Sequence, residues 1–188
     1  MEEVEQTVCT IGAEKNQAHQ VALMPDSQTD LVVRDARPHD AEVIARIYVD
    51  SSNEGFGDLM RKKELDSERI DRWCTTLSGA PPARWWVALS AGAIHGFVGI
   101  GPCRDPIDAS LGEVDTIAVD PNHWRIGVGR VLMRRALDYL KLDGYREARL
   151  WTLAEYTRGA AFYEAMGWTL TRAVRDDGRH VSYSHRLG

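Results

Sequence analysis

Between Gly112 and Leu142 the chain passes from a β-prone run, through a short polar stretch at Asp120 to Arg125, into an amphipathic helix whose start carries Gly127 and Gly129. Main-chain N–H groups in the first turn of a helix have no intrahelical partner and sit at the positive end of the helix dipole, so the junction suits an anion such as a diphosphate. Glycine lets that anion approach the backbone, and glycine also shapes a tight entry to a helix, so the pair alone leaves both readings open. The usual nucleotide fingerprints fail here. A dinucleotide motif needs a third glycine where Leu132 stands, and no Gly-Lys pair is followed by Ser or Thr.

The helix itself is predicted over Gly127 to Leu142, because Val128, Val131, Leu132, Ala136, Tyr139 and Leu140 form one stripe while Arg130, Arg134, Asp138 and Lys141 fall mostly outside it. Asp143-Gly144 closes it. Upstream, Leu31 to Arg37 reads as a strand, and Asp40 as the cap of a helix that ends before Gly55. Ser67 to Leu77 reads as a second helix. Arg84 to Leu89, Ile94 to Gly101 and Gly112 to Val119 read as strands, the first two forming a hairpin. Downstream come a strand at Ala148 to Leu153, a short helix at Thr157 to Met166, and a hairpin of Trp168 to Val174 with Val181 to Leu187. Strands alternating with helices in this order indicate an α/β domain with a mixed sheet, its central strand–helix–strand unit parallel and right-handed. The domain is expected over residues 31–188, with residues 1–30 a flexible, unpatterned extension.

Composition narrows the functional classes. Hydrophobic residues make up 44% and charged residues 27% of the chain, with no apolar run long enough to span a bilayer. A formal charge of −5 weakly disfavours a general nucleic-acid binder. The N-terminal stretch begins with Glu2, Glu3 and Glu5 and lacks the basic start of a secretory signal, so a cytoplasmic protein is expected. Cys9, Cys74 and Cys103 are unpaired by spacing and the histidines are scattered, so neither a disulfide framework nor a metal site is expected.

The stretch EVDTIAVDPNHWRIGVGRVL, followed by LWTLAEYTRGAAFYEAMGW, resembles the GNAT superfamily of acyl-CoA-dependent N-acyltransferases. The likeness covers about Leu31 to Leu187, and its most specific parts are IAVDP, the G-x-G helix start and FYEAMGW. It implies a mixed, centrally splayed β-sheet flanked by helices, opened between the strands at Gly112 to Val119 and Ala148 to Leu153. The pantetheine arm of acetyl-CoA, the implied cosubstrate, would lie in that gap against the main chain of Ile117, Ala118 and Val119. Its diphosphate would meet Arg125, Ile126, Gly127, Val128, Gly129 and Arg130. The sequence departs from the family pattern at Trp124, where Gln or Arg is usual, and at Tyr156, which occupies the place of a frequent asparagine.

Acetyl transfer to an amine needs the neutral form, and a lysine-like amine has a pKa of about 10.4 in water, so a base is required. Glu113 and Asp115 are two apart on a strand and share a face. Glu113 stands where the family often has its base, and whether Asp115 replaces it stays open. The departing thiolate needs a proton, and Tyr163 matches the family tyrosine that supplies one. A main-chain N–H near Ile117 or Val119 would meet the oxyanion. The resemblance therefore implies direct transfer in a ternary complex to a small-molecule or peptide primary amine, with no metal, and is compatible with a homodimer. The other readings are a non-catalytic GNAT-like domain that binds an acyl-CoA or a protein, and a transferase using a different acyl-CoA.

Overall fold

A computed structural model describes residues 31–104 and 107–188; the proposed N-terminal extension lies outside the described residues. The strands are β1 (Val32–Asp35), β2 (Arg84–Ser90), β3 (Ala93–Arg104), β4 (Ile107–Val119), β5 (Glu147–Leu153), β6 (Thr169–Arg175) and β7 (His180–Arg186). The helices are α1 (Ala41–Phe56), α2 (Ser67–Leu77), α3 (Val128–Leu142) and α4 (Thr157–Ala165). The strands form one sheet in the order β1-β2-β3-β4-β5-β7-β6. Only β4 and β5 run parallel, so α3 is the crossover that a parallel pair requires. No helix among the described residues is long and apolar enough to cross a membrane.

Both faces of the sheet are covered. The predicted stripe of α3 holds: Val128, Leu132, Ala136 and Leu140 are buried against Trp86, Val98, Ile100 and Leu150. On the other face Ile44 and Ile47 of α1 pack on Val87, Phe97 and Ala118, with Trp73 of α2 and Trp85 at the margin. Alternation along β2 thus sends Trp86 to one core and Trp85 to the other. Truncating one fully buried leucine here, such as Leu132, would cost about 2–5 kcal/mol.

The sheet opens at its middle. β4 and β5 pair only at Leu111–Glu147, Gly112–Ala148 and Glu113–Arg149, after which they diverge. β4 also carries a bulge: the register with β3 steps from Ile100–Val114 to Gly99–Thr116 and leaves Asp115 without an opposite residue. The extra residue resets the alternation, which is why Val114, Ile117 and Val119 can all pack on the α3 side while Ala118 packs on the α1 side.

Several expectations are corrected. α1 continues through Gly55 to Phe56, because Gly55 faces the Tyr156 ring, whose hydroxyl would lie 3.1 Å from an added Cβ. Close packing rather than a chain break explains that glycine. Asp40 does not cap α1 through its side chain; its carboxylate accepts two hydrogen bonds from Arg34 at 2.7 and 2.9 Å and one from the Arg37 N–H at 2.8 Å. β3 and β4 extend well beyond the predicted ends, pairing out to Arg104–Ile107. The predicted pairing of β6 with β7 holds, and β7 inserts between β5 and β6, leaving β6 at the sheet edge.

Candidate active site

The divergence of β4 from β5 opens a cleft of about 900 Å³. Its walls are the ends of β4 and β5, the entrance to α3, the first turns of α4, and the segment that follows α1. Asp120 N–H donates to His95 O at 2.8 Å, so alternation turns the main-chain groups of Val119 and Ile117 away from β3 and toward the gap. The Val119 carbonyl is already occupied, accepting from the Trp124 indole N–H at 2.8 Å. The Trp124 ring lines the cleft and carries the Arg158 guanidinium 4.2 Å from its centre. The family's usual polar position is thus filled by an aromatic wall that anchors the strand end.

The helix entrance has the features the sequence suggested. Gly127 is the N-cap of α3 at φ 97°, and Arg125 also takes a left-handed φ of 66°. An added Cβ on Gly127 would meet nothing within 4 Å, so conformation rather than space requires glycine there. The first helix bond runs from Val131 N–H to Gly127 O, which leaves the N–H groups of Val128, Gly129 and Arg130 without an acceptor in the helix. Arg125 and Arg130 line the cleft, and neither has an ion-pair partner among the described residues. An open helix entrance and two unneutralised guanidinium groups fit a diphosphate.

Of the residues singled out from sequence, Ile117, Ala118, Val119, Arg125, Gly127, Gly129, Arg130 and Tyr163 line this one cleft. Val128 does not: its side chain is 1% exposed in the core, so only its main chain is offered. Ile126 points elsewhere and is 49% exposed. Glu113 also lies outside the cleft lining, buried, with one oxygen accepting from the Arg104 N–H and the other from the Arg104 guanidinium, each at 3.0 Å. The same guanidinium contacts Asp115, and it is Asp115 that lines the cleft.

Tyr163 is buried at the cleft wall, its ring 5.6 Å from those of Phe162 and Tyr183. Burial pushes its phenol well above the ordinary tyrosine range, with Tyr156 adding to the effect and a hydrogen bond to Thr152 opposing it. The group therefore keeps its proton at neutral pH. Tyr156 packs edge-on against Phe56 at 4.8 Å and fills the space over Gly159, where an added Cβ would lie 2.3 Å from the ring.

The family resemblance puts the stretch between the first two helices over the acceptor site, with Asn53, Glu54 and Phe56 as candidate substrate contacts, and the end of α1 with the segment after it supplies the remaining wall. Asn53 donates from its amide to Lys63 O at 2.9 Å and accepts from Lys63 N–H at 2.8 Å, which pins the segment to the helix end. Lys63 thereby comes to the cleft, its ammonium 5.3 Å from the Tyr48 ring centre and 5.8 Å from that of Phe56. Burial, helped by nearby Arg69, draws its pKa down from the lysine value. A lone lysine in a polar stretch carries no sequence signal for this placement.

Comparison with known proteins gives the family and the fold. The acetyltransferase (GNAT) family model matches residues 41–168. N-acetyltransferase family 8 member 3 of Rattus norvegicus is 31% identical over 88 residues, which are 46% of this chain and 39% of the rat protein. The chain thus spans about two fifths of that relative's length. The Bacillus subtilis N-acetyltransferase YuaI is 27% identical over 140 residues, covering 72% of this chain and 78% of YuaI. Among solved structures, PaiA N-acetyltransferase from Thermoplasma acidophilum, in complex with coenzyme A, superposes with a TM-score of 0.67 at 16% identity, covering 83% of this chain and 98% of its own. YncA from Salmonella typhimurium, a putative acetyltransferase with its cofactor acetyl-CoA, gives 0.62 at 19% identity, covering 84% and 94%. These structural likenesses establish a shared fold.

Proposed function

This chain belongs to the acetyltransferase (GNAT) family, and from that premise we propose that it moves the acetyl group of acetyl-CoA to a primary amine by direct attack within a ternary complex. The observation that carries the reading is the continuity of one cleft from the open entrance of α3, along the unpaired side of β4, to Tyr163. Acetyl-CoA brings an activated thioester, and the chain's own residues do the rest. The free N–H groups of Val128, Gly129 and Arg130, with the Arg125 and Arg130 side chains, hold the diphosphate. The gap-facing main chain of Ile117 and Val119 takes the place of a strand neighbour for the pantetheine amides. One of those N–H groups donates to the acetyl oxygen as negative charge develops on it. Tyr163, held protonated by burial, donates toward the sulfur as the C–S bond breaks.

The proton leaving the amine goes to a carboxylate. Asp115 is the carboxylate in the cleft lining, while Glu113 spends both oxygens on Arg104 and holds that guanidinium against Asp115. We therefore assign proton acceptance to Asp115, directly or through one water, and a positioning role to Glu113, the residue the sequence favoured as base. Calorimetry with acetyl-CoA tests the cofactor: micromolar binding is expected, and its absence refutes the reading. Thiol release with an amine acceptor tests the carboxylates. Asp115→Asn should lower kcat by about 10²–10⁴-fold and Glu113→Gln by less. The reverse order returns the base to Glu113.

A further inference from the structure

A second, smaller groove of about 290 Å³ opens beside the main cleft, and Tyr48 and Asp115 line both. Its floor is aromatic: Trp73 lies 5.8 Å from Tyr48 and 5.1 Å from Trp85, both edge-on. Its walls include Arg69 and Arg72, which α2 places three apart on one side. The position of these cations follows from the helix, since Asp66 caps α2 by accepting from the Arg69 N–H at 2.8 Å. The Arg69 side chain donates only to the Glu64 carbonyl, at 2.9 Å, and has no ion-pair partner among the described residues. Among the described residues Arg72 has only a loose contact with Glu68 at 3.7 Å, both side chains being more than half exposed. Lys63, at the Tyr48 ring in the main cleft, likewise has no ion-pair partner among the described residues.

Lys63 therefore lines the cleft, and Arg69 and Arg72 the groove that shares Tyr48 and Asp115 with it, in a chain whose formal charge is −5. The single carboxylate shared by the two cavities stands at the junction between them. A neutral acceptor would leave the cations unpaired, and a purely cationic one would also meet repulsion from them. An acceptor with an amine at one end and an oxyanion at the other would match both the carboxylate and the cations.

We infer that the groove beneath Tyr48 is the acceptor subsite and that it selects a compact anionic amine, whose amine lies at Asp115 and whose carboxylate or phosphate is held by Arg69 and Arg72, with Lys63 at the rim. This rests on the acetyl-transfer reading above and adds the class of acceptor. The arrangement also assists the chemistry. Cations close to a bound amine disfavour its ammonium form, as burial and Arg69 already do for Lys63, so more of the acceptor is present as the nucleophile.

The test is thiol release from acetyl-CoA with matched acceptor pairs: phenylalanine against 2-phenylethylamine, leucine against isoamylamine, and O-phosphoethanolamine against ethanolamine. The anionic member of at least one pair should exceed its partner by at least about ten-fold in kcat/KM, and which pair responds separates carboxylate from phosphate. In the Arg69→Gln/Arg72→Gln variant that ratio should fall toward one, chiefly through KM, while the thermal shift produced by acetyl-CoA stays as in the parent. Arg69→Lys should recover part of the ratio, because charge returns without the planar fork. Equal or better turnover of the uncharged partners, a preference that survives the double variant, or no turnover of any pair by a protein that binds acetyl-CoA would each overturn the inference. Loss of acetyl-CoA binding by the parent protein would instead sink the acetyl-transfer reading beneath it.

Discussion

Replacing Gly127 by alanine isolates what the entrance of α3 does. Gly127 sits at φ 97° and ψ −8°, and nothing lies within 4 Å of the added Cβ, so the substitution introduces conformational cost without collision. That cost is about 1–2 kcal/mol for an L-residue in the left-handed region. Gly144, just past the other end of the same helix, provides the control. It has φ 89°, also has nothing within 4 Å of its added Cβ, and lies outside the cleft lining. Both alanine variants should therefore lose about 2–8 °C in Tm, at 2–4 °C per kcal/mol for a domain of this size.

Their ligand responses should separate. Relaxing the strain at Gly127 turns the free N–H groups that follow it, and the loss of one charge-assisted hydrogen bond is worth about 1.5–3 kcal/mol, or about 10- to 150-fold in Kd. At a coenzyme A concentration of 100 times the parent Kd, the parent gains about 2.7 kcal/mol. A variant weakened about 100-fold gains only about 0.4 kcal/mol at the same concentration. Differential scanning calorimetry with and without coenzyme A reads this directly: a shift of several degrees for the parent and Gly144→Ala, and close to none for Gly127→Ala. Equal ligand shifts in the two variants would show that the helix entrance does not hold the diphosphate.

Other consequences can be measured on the same protein. Tyr163→Phe should lower kcat by about 10²-fold or more with little change in acetyl-CoA binding, and an unchanged kcat would remove the phenol from the reaction. Because burial raises its folded-state pKa above that of the unfolded chain, Tyr163 contributes stability that is complete below about pH 10 and declines as pH rises beyond it, so Tm should fall more steeply there than in Tyr163→Phe. His95 is buried, stacked 3.9 Å from His123 and hydrogen-bonded to Ser90 at 2.8 Å; burial first, then His123, lower its pKa. Its contribution is therefore present above about pH 6.5 and lost as pH falls below it. The fall of Tm between about pH 6.5 and 5 should flatten in His95→Gln. Asp40→Ala strands Arg34, and breaking such a pair costs about 3–5 kcal/mol when fully buried. With the Arg34 side chain 31% exposed, about 3 kcal/mol is expected, read as a lower urea midpoint with the slope unchanged.

Local patterns announced most of the elements but not the reach of each side chain. The α3 stripe was legible because Val128, Leu132, Ala136 and Leu140 recur at helical spacing and a single burial face decides their fate. The opening of the sheet was legible only through the family resemblance, since the divergence of β4 from β5 leaves no mark in composition. Gly55 misled because its partner, Tyr156, lies far along the chain. Alternation correctly places Glu113 and Asp115 together, yet their difference depends on Arg104, which arrives from β3 beyond the predicted end of that strand. The acceptor-side cations were invisible for the same reason: Lys63 and Arg69 become neighbours of Tyr48 and Asp115 only after α1 and α2 pack on the sheet.

The short contact between β4 and β5 has a mechanical consequence. With rungs only at Leu111–Glu147, Gly112–Ala148 and Glu113–Arg149, the sheet behaves as two leaves joined at one end of a spine. An elongated guest with amides along its length would act as the missing rungs and splint the leaves together. Amide deuterium uptake at Ile117 and Val119 should then slow when the guest binds, and both leaves should melt as one body rather than in sequence.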